Sequence, residues 1–387
     1  MEDDPAKFLL SGHRGGGKTT ELRRLEQKLA NTYTVIWIDT QTALDRYNIG
    51  YAEVVVLIGL QIARQAIQSN WLFNKDKLLN ALQDSLQTVV YQDKGSETEG
   101  LGMPEFIEKA GVILKRGLTR EVTKTVNVRP LLSEIITRVN NIIEAAEKEQ
   151  KQRLLIIVDG LDRHDQVTAL EMFASPLLIE LNCHIIYSIP ISLRYSPSFR
   201  QPMESFQKCL DLNNPPVFES NDNLCPTSIP NRIGREILIN VIHKRLVSLG
   251  DSYKGLFNHD ALELICEKSG GVMRDLVRLA RTACEIGLRN KFNLIDLETA
   301  QEAVREVRRE YNLSDYHYLE LDLIHRTGKL TTKAHSLPGK GEFIICDELL
   351  QNKLVLGYYN TRQESWFDIN PILIEDLERW QAANNTL

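Results

Sequence analysis

The sequence predicts an α/β fold: a parallel-sheet core carrying a phosphate-binding loop, then a helical region, then an α+β C-terminal module. Two observations carry most of that prediction. Gly12 to Thr19 reads G-x-x-x-x-G-K-T, with a short apolar strand at Lys7 to Leu10 running in and a helical pattern of Leu22, Leu25 and Leu29 running out. Leu154 to Val158 is a continuous apolar run closed by Asp159, the pattern of a strand buried on both faces that delivers a carboxylate at its C-terminal end. A third observation, further β-branched runs separated by helical periodicities, makes the sheet a parallel one.

The loop's residue types match what a phosphate demands. Glycines at 12, 15, 16 and 17 let successive backbone N–H groups turn inward, and the positive end of the next helix faces the same anion. Lys18 is expected to reach the β- and γ-phosphates, and the Thr19 hydroxyl to ligate Mg²⁺. The expected ATP contacts are therefore Gly12, His13, Arg14, Gly15, Gly16, Gly17, Lys18, Thr19 and Thr20. A glycine-rich turn that merely joins strand to helix is the plainer alternative.

Composition bounds the rest. A chain of 387 residues with ordinary apolar and charged fractions is long enough for two or three domains with real cores. A net charge of −6 argues against a surface coated in positive charge, so any nucleic-acid contact must be a local basic patch. The six cysteines show no C-x-x-C spacing and fall mostly in apolar runs, which reads as reduced structural thiols and not a zinc site. The apolar run near Val54 to Ala63 is too short to span a bilayer, and no signal-peptide pattern opens the chain. A soluble cytoplasmic protein without membrane contact is expected.

Along the chain, Thr34 to Asp39 reads as a buried strand in which Asp39 serves as a strand-end cap. Tyr51 to Ser69 and Leu78 to Leu86 read as packing helices, and the polar stretch from Tyr91 to Met103 as a loop. Between Val112 and Arg129, the cations Lys115, Arg116, Arg120, Lys124 and Arg129 face only Glu121 as an acid. They suit either a phosphate backbone such as DNA or a solvated strand pair or loop. Pro130 opens a helix with Ile135, Ile136, Val139, Ile142 and Ile143 on one face.

Asp159 then stands at a strand end, where open α/β sheets bind ligands, and is expected to hold Mg²⁺ with Thr19. Asp162 has two candidate roles: orienting an attacking water, or capping the next helix. His184 to Pro190 reads as the next core strand, with Arg194 beyond it facing nucleotide, neighbour or solvent. Phe218 to Asn231, rich in Pro, Asn, Asp and Ser, reads as a loop. Helical spacing returns at Ile233 to Leu249 and Asp260 to Lys268, stops at Gly270-Gly271, and resumes from Val272 and from Asp296. The end of the chain combines helices at Tyr318 to Ile324 and Glu348 to Asn352 with β runs at Leu354 to Tyr359 and Ser365 to Ile369, then a last helix with Leu373, Leu377 and Trp380.

These motifs resemble a prokaryotic P-loop ATPase of the AAA+/STAND type, with an origin-recognition-like core. The resemblance implies a P-loop nucleotide-binding domain at 1–230 with a helical insertion at about 41–150, a helical lid at 231–312 and a winged-helix domain at 313–387. It implies that Ser188 senses the γ-phosphate and that Arg274, after the Gly270-Gly271 turn, reaches the phosphates from the lid. Lys18, Asp159 and Asp162 become the expected catalytic residues, and ATP with Mg²⁺ the cofactors. Related ATPases carry a helix or linker before the first strand, whereas only Met1 to Ala6 precede Lys7 here, which suggests a piece of a longer protein. Briskly hydrolysing relatives place a Glu directly after the Walker aspartate, and this chain has Gly160 there. The implied activity is a slowly hydrolysing switch that couples nucleotide state to lid closure, to a homo-oligomer or to a protein effector. The alternative is a DNA-loading ATPase of origin-recognition or transposition-regulator type, although the acidic residues around the wing (Glu364, Asp368, Glu375, Asp376) suit DNA poorly.

Overall fold

The computed structural model describes residues 4–45, 49–71, 76–91, 102–116, 128–250, 255–331, 334–337 and 341–384. The chain forms two compact units, residues 1–11 with 18–211 and residues 12–17 with 212–387.

The first unit runs β1 (Lys7–Ser11), α1 (Lys18–Leu29), β2 (Tyr33–Asp39), α2 (Thr40–Ala43), α3 (Tyr51–Gln68), α4 (Asp76–Tyr91), α5 (Met103–Arg116), α6 (Val128–Gln150), β3 (Arg153–Asp159), α7 (Gln166–Phe173), β4 (His184–Ser188), α8 (Ile191–Arg194), α9 (Arg200–Met203) and β5 (Lys208–Asp211). Its strands form one parallel sheet in the order β2-β3-β4-β1-β5. Because every strand points the same way, their C-terminal ends share one edge. The register sets Asp39 beside Asp159, Leu10 beside Ser188 and Ser11 beside Asp211. The chain leaves β1 toward β2 on one side, and leaves β4 toward β5 on the other. The β1/β4 pair is thus the switch point at which such sheets open a crevice for a ligand.

Both faces of the sheet are covered, which is why β3 is buried along almost its whole length. On one face Leu22 of α1 packs with Leu155, Ile157 and Ile186, and Leu25, Leu29 and Trp37 border them. The Arg23 guanidinium lies 3.5 Å from the centre of the Trp37 ring, closing that border with a cation–π contact. On the other face Leu9, Ile36, Ile156, Val158 and Ile185 join the apolar faces of α3 and α6. Gly59 lets these two helices approach: a Cβ there would stand 3.3 Å from Val139 Cγ2.

The stretch from Val112 to Arg129, expected as a strand pair or loop, is helical at both described ends, in α5 and from Val128. Phe106, Ile107, Ala110 and Leu114 recur at helical spacing and are at most 4% exposed. Lys115 and Arg116 end α5, Arg129 begins α6, and Arg120 and Lys124 lie outside the described residues. So does 92–101, most of the expected loop before Met103.

The second unit begins with a short hairpin, β6 (Phe218–Ser220) with β7 (Pro226–Pro230), where the sequence suggested a loop. The turn residues dominate that composition: the Asn221 side chain accepts from the N–H groups of Asn223 and Cys225 at 2.9 and 3.0 Å. Next in the chain are the helices α10 (Arg232–Leu249), α11 (His259–Lys268), α12 (Met273–Arg289) and α13 (Leu297–Arg308). Then come α14 (Asp315–Thr327), an unanticipated hairpin of β8 (Ala334–Leu337) with β9 (Gly341–Ile344), α15 (Ile345–Gln351), the hairpin of β10 (Val355–Tyr359) with β11 (Ser365–Ile369), and α16 (Ile374–Asn384).

The helical segment and the C-terminal elements pack as one body. Val272 clusters with Leu356, Tyr358 and Trp366, and the Tyr358 hydroxyl donates to the Gly270 carbonyl at 2.9 Å. Lys353 pairs with Asp275 at 2.6 Å, and Arg308 with Glu375. Burial pushes the thiols of Cys266 and Cys346 in this unit, and of Cys183 and Cys209 in the first, up to about 12. Thiolate chemistry is suppressed at all four.

Strain at one glycine and the titration of one histidine can each be measured. Gly160, just after β3, holds φ +97°, and a Cβ there would lie 2.8 Å from Thr40 Oγ1 and 2.9 Å from Gln41 Cγ. Gly160→Ala is expected to cost about 1–3 kcal/mol, read as a lower urea midpoint; an unchanged midpoint contradicts the strain. His325 on α14 lies 2.6 Å from the buried Asp368 on β11, and this hydrogen bond holds the imidazole above its ordinary range. A folded-state value above the unfolded one means that the native state binds the proton more tightly. The resulting stabilisation is present below about pH 6.5 and fades as pH rises through the folded value. The melting-temperature difference between wild type and His325→Gln is therefore expected to shrink from pH 6 to pH 9, and a pH-independent difference contradicts the linkage.

Candidate functional site

The carboxylate of Asp159 is placed by β3, whose uninterrupted apolar run fixes both the strand and its end. Asp159 is 6% exposed. One carboxylate oxygen accepts from the Gly160 N–H at 2.9 Å and the other accepts from the Thr19 hydroxyl at 2.6 Å. Lys18, at the first turn of α1, is buried and pairs with Asp162 at 2.8 Å. Lys18, Thr19, Asp159 and Asp162 therefore meet at the carboxyl edge of the sheet. Ser188, at the end of the neighbouring β4 and fully buried, accepts from the Gly160 N–H at 2.9 Å. The Gly160 N–H is thus shared by Asp159 and Ser188, and this ties the ends of β3 and β4 together.

Asp162 does not cap the following helix. It sits in the 3-10 turn Leu161–Arg163, and α7 is capped by Asp165, which accepts from the Thr168 N–H at 2.9 Å. The cap draws the Asp165 carboxyl below its ordinary range against the opposing effect of partial burial. Asp39 is a cap as expected, accepting from the Gln41 N–H at 3.0 Å. Arg194 turns to Asp211 in a two-point ion pair, with Nε to Oδ1 and Nη2 to Oδ2 both at 3.0 Å.

The donor set fits a magnesium nucleotide. A hydroxyl and a carboxylate side by side supply the hard oxygens that Mg²⁺ prefers, and one carboxylate suffices when phosphates complete the shell. Among the described residues no cluster of three or more His, Cys, Asp or Glu offers an alternative metal site. The Lys18 ammonium is already matched with an anion, the Asp162 carboxylate.

The glycine half of the loop, Gly12 to Gly17, is packed within the second unit. Gly15 has φ +88°, and a Cβ there would stand 2.6 Å from Arg274 Cβ. Its carbonyl accepts from the Arg274 N–H at 3.1 Å. The Arg274 side chain, at the first turn of α12, is exposed. His13, 2% exposed, accepts at Nε2 from the Gly357 N–H at 2.8 Å, so this neutral imidazole carries its proton on Nδ1. Arg14 is half-buried and Thr20 exposed.

Two participants were not legible in the sequence. Gly357, inside an apolar β run, gave no local signal of a partner 344 positions away. Asn214 follows β5 and is 3% exposed, yet neither its Oδ1 nor its Nδ2 has a hydrogen-bond partner among the described residues. Burying an amide in that state costs on the order of 1–3 kcal/mol.

A family profile described as the KAP family P-loop domain matches residues 1–178. No curated protein matches the chain. Among solved structures, the chain is similar to the ORC2 protein of Aeropyrum pernix in its ADPNP–ADP complexes, at 15% identity, with 100% of this chain and 91% of that chain covered and a TM-score of 0.41. It is similar to the RuvB Holliday junction branch migration motor of Thermotoga maritima at 12% identity, covering 97% and 87%, with a TM-score of 0.37. The Drosophila ORC bound to DNA matches at 15% identity, covering 98% and 82%, with a TM-score of 0.36. Among the described residues no helix is long and apolar enough to cross a membrane. With the loop between β1 and α1, the parallel sheet and Asp159 at its edge, the first unit has the fold of a P-loop NTPase.

Proposed function

We propose that the chain is an ATP-binding switch of slow turnover, of the AAA+/STAND kind. In this reading 1–230 binds nucleotide, 231–312 acts as a lid and 313–387 as a winged-helix module. One observation carries it: Lys18 and Thr19, the residues that would grip Mg·ATP, are each held by a carboxylate of the chain itself, Asp162 and Asp159. The Lys18 ammonium is matched in charge by Asp162. Binding must exchange one anion for another, and that exchange is what a two-state element needs.

Each residue's role is set by its present partner. Lys18 leaves Asp162 and takes the β- and γ-phosphates, and Gly12 to Gly17 offer backbone N–H groups to them. Thr19 and Asp159 would hold Mg²⁺, which would supply charge neutralisation at the phosphates. Asp162, once released, would be free to orient a water. Gly160 occupies the position after Asp159, where a Glu would do so directly, and this supports slow hydrolysis. Ser188 reports on the same turn through the Gly160 N–H. Arg274 presents an exposed guanidinium to meet phosphate, while its backbone holds Gly15. The His13 to Gly357 bond supports coupling of loop occupancy to the β10/β11 hairpin, and through that hairpin to an oligomeric or effector partner.

Calorimetric titration with Mg·ATP tests the grip: wild type is expected to bind and Lys18→Ala to lose binding, and equal affinity in both would sink the assignment. Turnover is expected below about 1 per second, against roughly 10 for a median enzyme, and a motor-like kcat contradicts the switch. Asp162→Asn tests the exchange. Removing one partner of a buried ion pair is expected to lower the ligand-free melting temperature, by an amount equivalent to about 3–5 kcal/mol at most. Mg·ATP should then raise it by more than in wild type, because no carboxylate competes for Lys18. An unchanged ligand-induced shift, with only turnover reduced, would leave Asp162 as a water-orienting residue alone.

A further inference from the structure

We infer that the second unit binds a second copy of this chain head to tail, with an apolar knob at the end of α12 seated in a groove beside the start of α10. The inference goes beyond the nucleotide reading and stands without it: it names the partner and the surface that the reading leaves open.

The groove follows from a helix with two apolar faces. Leu238, Ile242 and Leu246 of α10 are buried, the one stripe that a surface helix needs. Ile233, Ile237 and Val241 recur at i, i+4 and i+8 on another side, and Ile233 is 74% exposed. Ile233 and Ile237 form one wall of a groove of about 330 Å³, whose other sides come from Phe218 on β6, Trp366 on β11 and the β10/β11 turn at 359–362. Its charged lining is Glu219, Asp222 and Arg362; Arg362 pairs with Asp222 at 3.5 Å, so the lining has one acid in excess.

The knob is built by the stop of α12. The Phe292 N–H donates to the Gly287 carbonyl at 2.8 Å and the Lys291 N–H to that of Leu288 at 3.2 Å, with Lys291 left-handed at φ +59°. In this stop motif the residue at the place of Phe292 commonly packs on a side chain of the last turn, and Gly287 has none to offer. Phe292 stays 51% exposed, and Leu288, Leu294 and Leu297 are exposed with it. The base is stiff: Ile295 is buried, and a Cβ on Gly287 would stand 2.5 Å from its Cδ1. Arg289 is matched by Glu302 at 3.2 Å, and Lys291 adds a cation at the tip.

Knob and groove are complements. One is a protruding apolar turn with a cation at its tip, the other an apolar hollow with an acid in excess. They lie at opposite ends of the helical segment. Arg235 near the start of α10 pairs with Glu267 at the end of α11 at 3.0 Å, which puts the groove where α11 stops. At the base of the knob, the Ile295 N–H donates to the Leu256 carbonyl and its own carbonyl accepts from the Asn258 N–H, where α11 starts. The 17 residues of α12 then run about 26 Å up to the knob. One copy therefore offers its knob to one neighbour and its groove to another, and such a contact repeats into a ring or a filament.

Sedimentation velocity of the full chain from about 1 to 100 µM, the range in which transient contacts dissociate, reads the assembly with and without Mg·ATP. Wild type should form species larger than a dimer as concentration rises, in at least one of the two conditions. Phe292→Glu spoils the knob and Ile233→Glu the groove, and each alone should weaken assembly by about tenfold or more. An equimolar mixture of the two retains one intact knob and one intact groove, and should form dimers and nothing larger. Leu288→Glu mixed with Ile237→Glu should repeat this result, and melting temperatures equal to wild type control for folding at these exposed positions. A wild type that stays monomeric or stops at a dimer overturns the inference. So does a variant that assembles like wild type, or a mixture that stays monomeric, since a different surface or a different partner is then at work. None of these outcomes touches nucleotide binding, which the titration of wild type and Lys18→Ala reads separately.

Discussion

The pairing of Lys18 with Asp162 is the constraint on which the rest of the first unit's site depends. A lysine at 4% exposure needs a counter-charge, because desolvating an ammonium alone costs several kcal/mol. Asp162 supplies that charge, and the supply requires the chain to turn sharply after β3. Gly160 makes the turn possible with φ +97°, in space bounded by Thr40 and Gln41. Its N–H is then anchored twice, to Asp159 and to Ser188. One glycine thus links three expected site residues. A Cβ at that position would stand 2.8 Å from Thr40 Oγ1, so any side chain there strains the turn that presents Asp162 to Lys18.

The sheet explains why these groups meet at all. Parallel strands need crossovers, and crossovers put every carboxyl end on one edge. Asp39, Asp159, Ser188 and Ser11 share that edge through backbone register alone. Chemistry then divides them by what is adjacent: Asp39 commits its carboxylate to the first turn of α2, and Asp211 to Arg194. Asp159 alone of these carboxylates has a loop hydroxyl within reach. The sequence already set Asp39 apart as a cap, and the neighbouring donors hold each carboxylate in place.

Much of this was legible in the sequence where a single local rule decides. The loop, β3 and the periodicity of α3 and α6 are each set by spacing within a dozen residues. The misreadings came where a second signal masked the first. Cations between Lys115 and Arg129 hid the helical spacing of Phe106, Ala110 and Leu114 just before them. Asparagines and prolines hid the β6/β7 hairpin, whose ladder is only a few residues long. Asp162 and Asp165 are both suited to capping a helix, and only the three-dimensional position of Lys18 separates them. Gly357 and Asn214 had no local signal, because their significance lies in partners, or in the lack of them, far along the chain.

The second unit adds a step that composition does not suggest. Its helices and its C-terminal hairpin are joined by Tyr358 to Gly270, Lys353 to Asp275 and Arg308 to Glu375, so they pack together. The glycine half of the loop belongs to that same body by its contacts, through Gly15 to Arg274 and His13 to Gly357. The peptide bond between Gly17 and Lys18 therefore joins two differently packed segments: a glycine run held by one unit and a helix start held by the other. A ligand that ordered the glycine run would act on the contacts of the second unit, and one that displaced Asp162 would act on those of the first. On the proposed reading, nucleotide on the glycine run would act on the packing of the second unit through the Gly15 to Arg274 and His13 to Gly357 contacts.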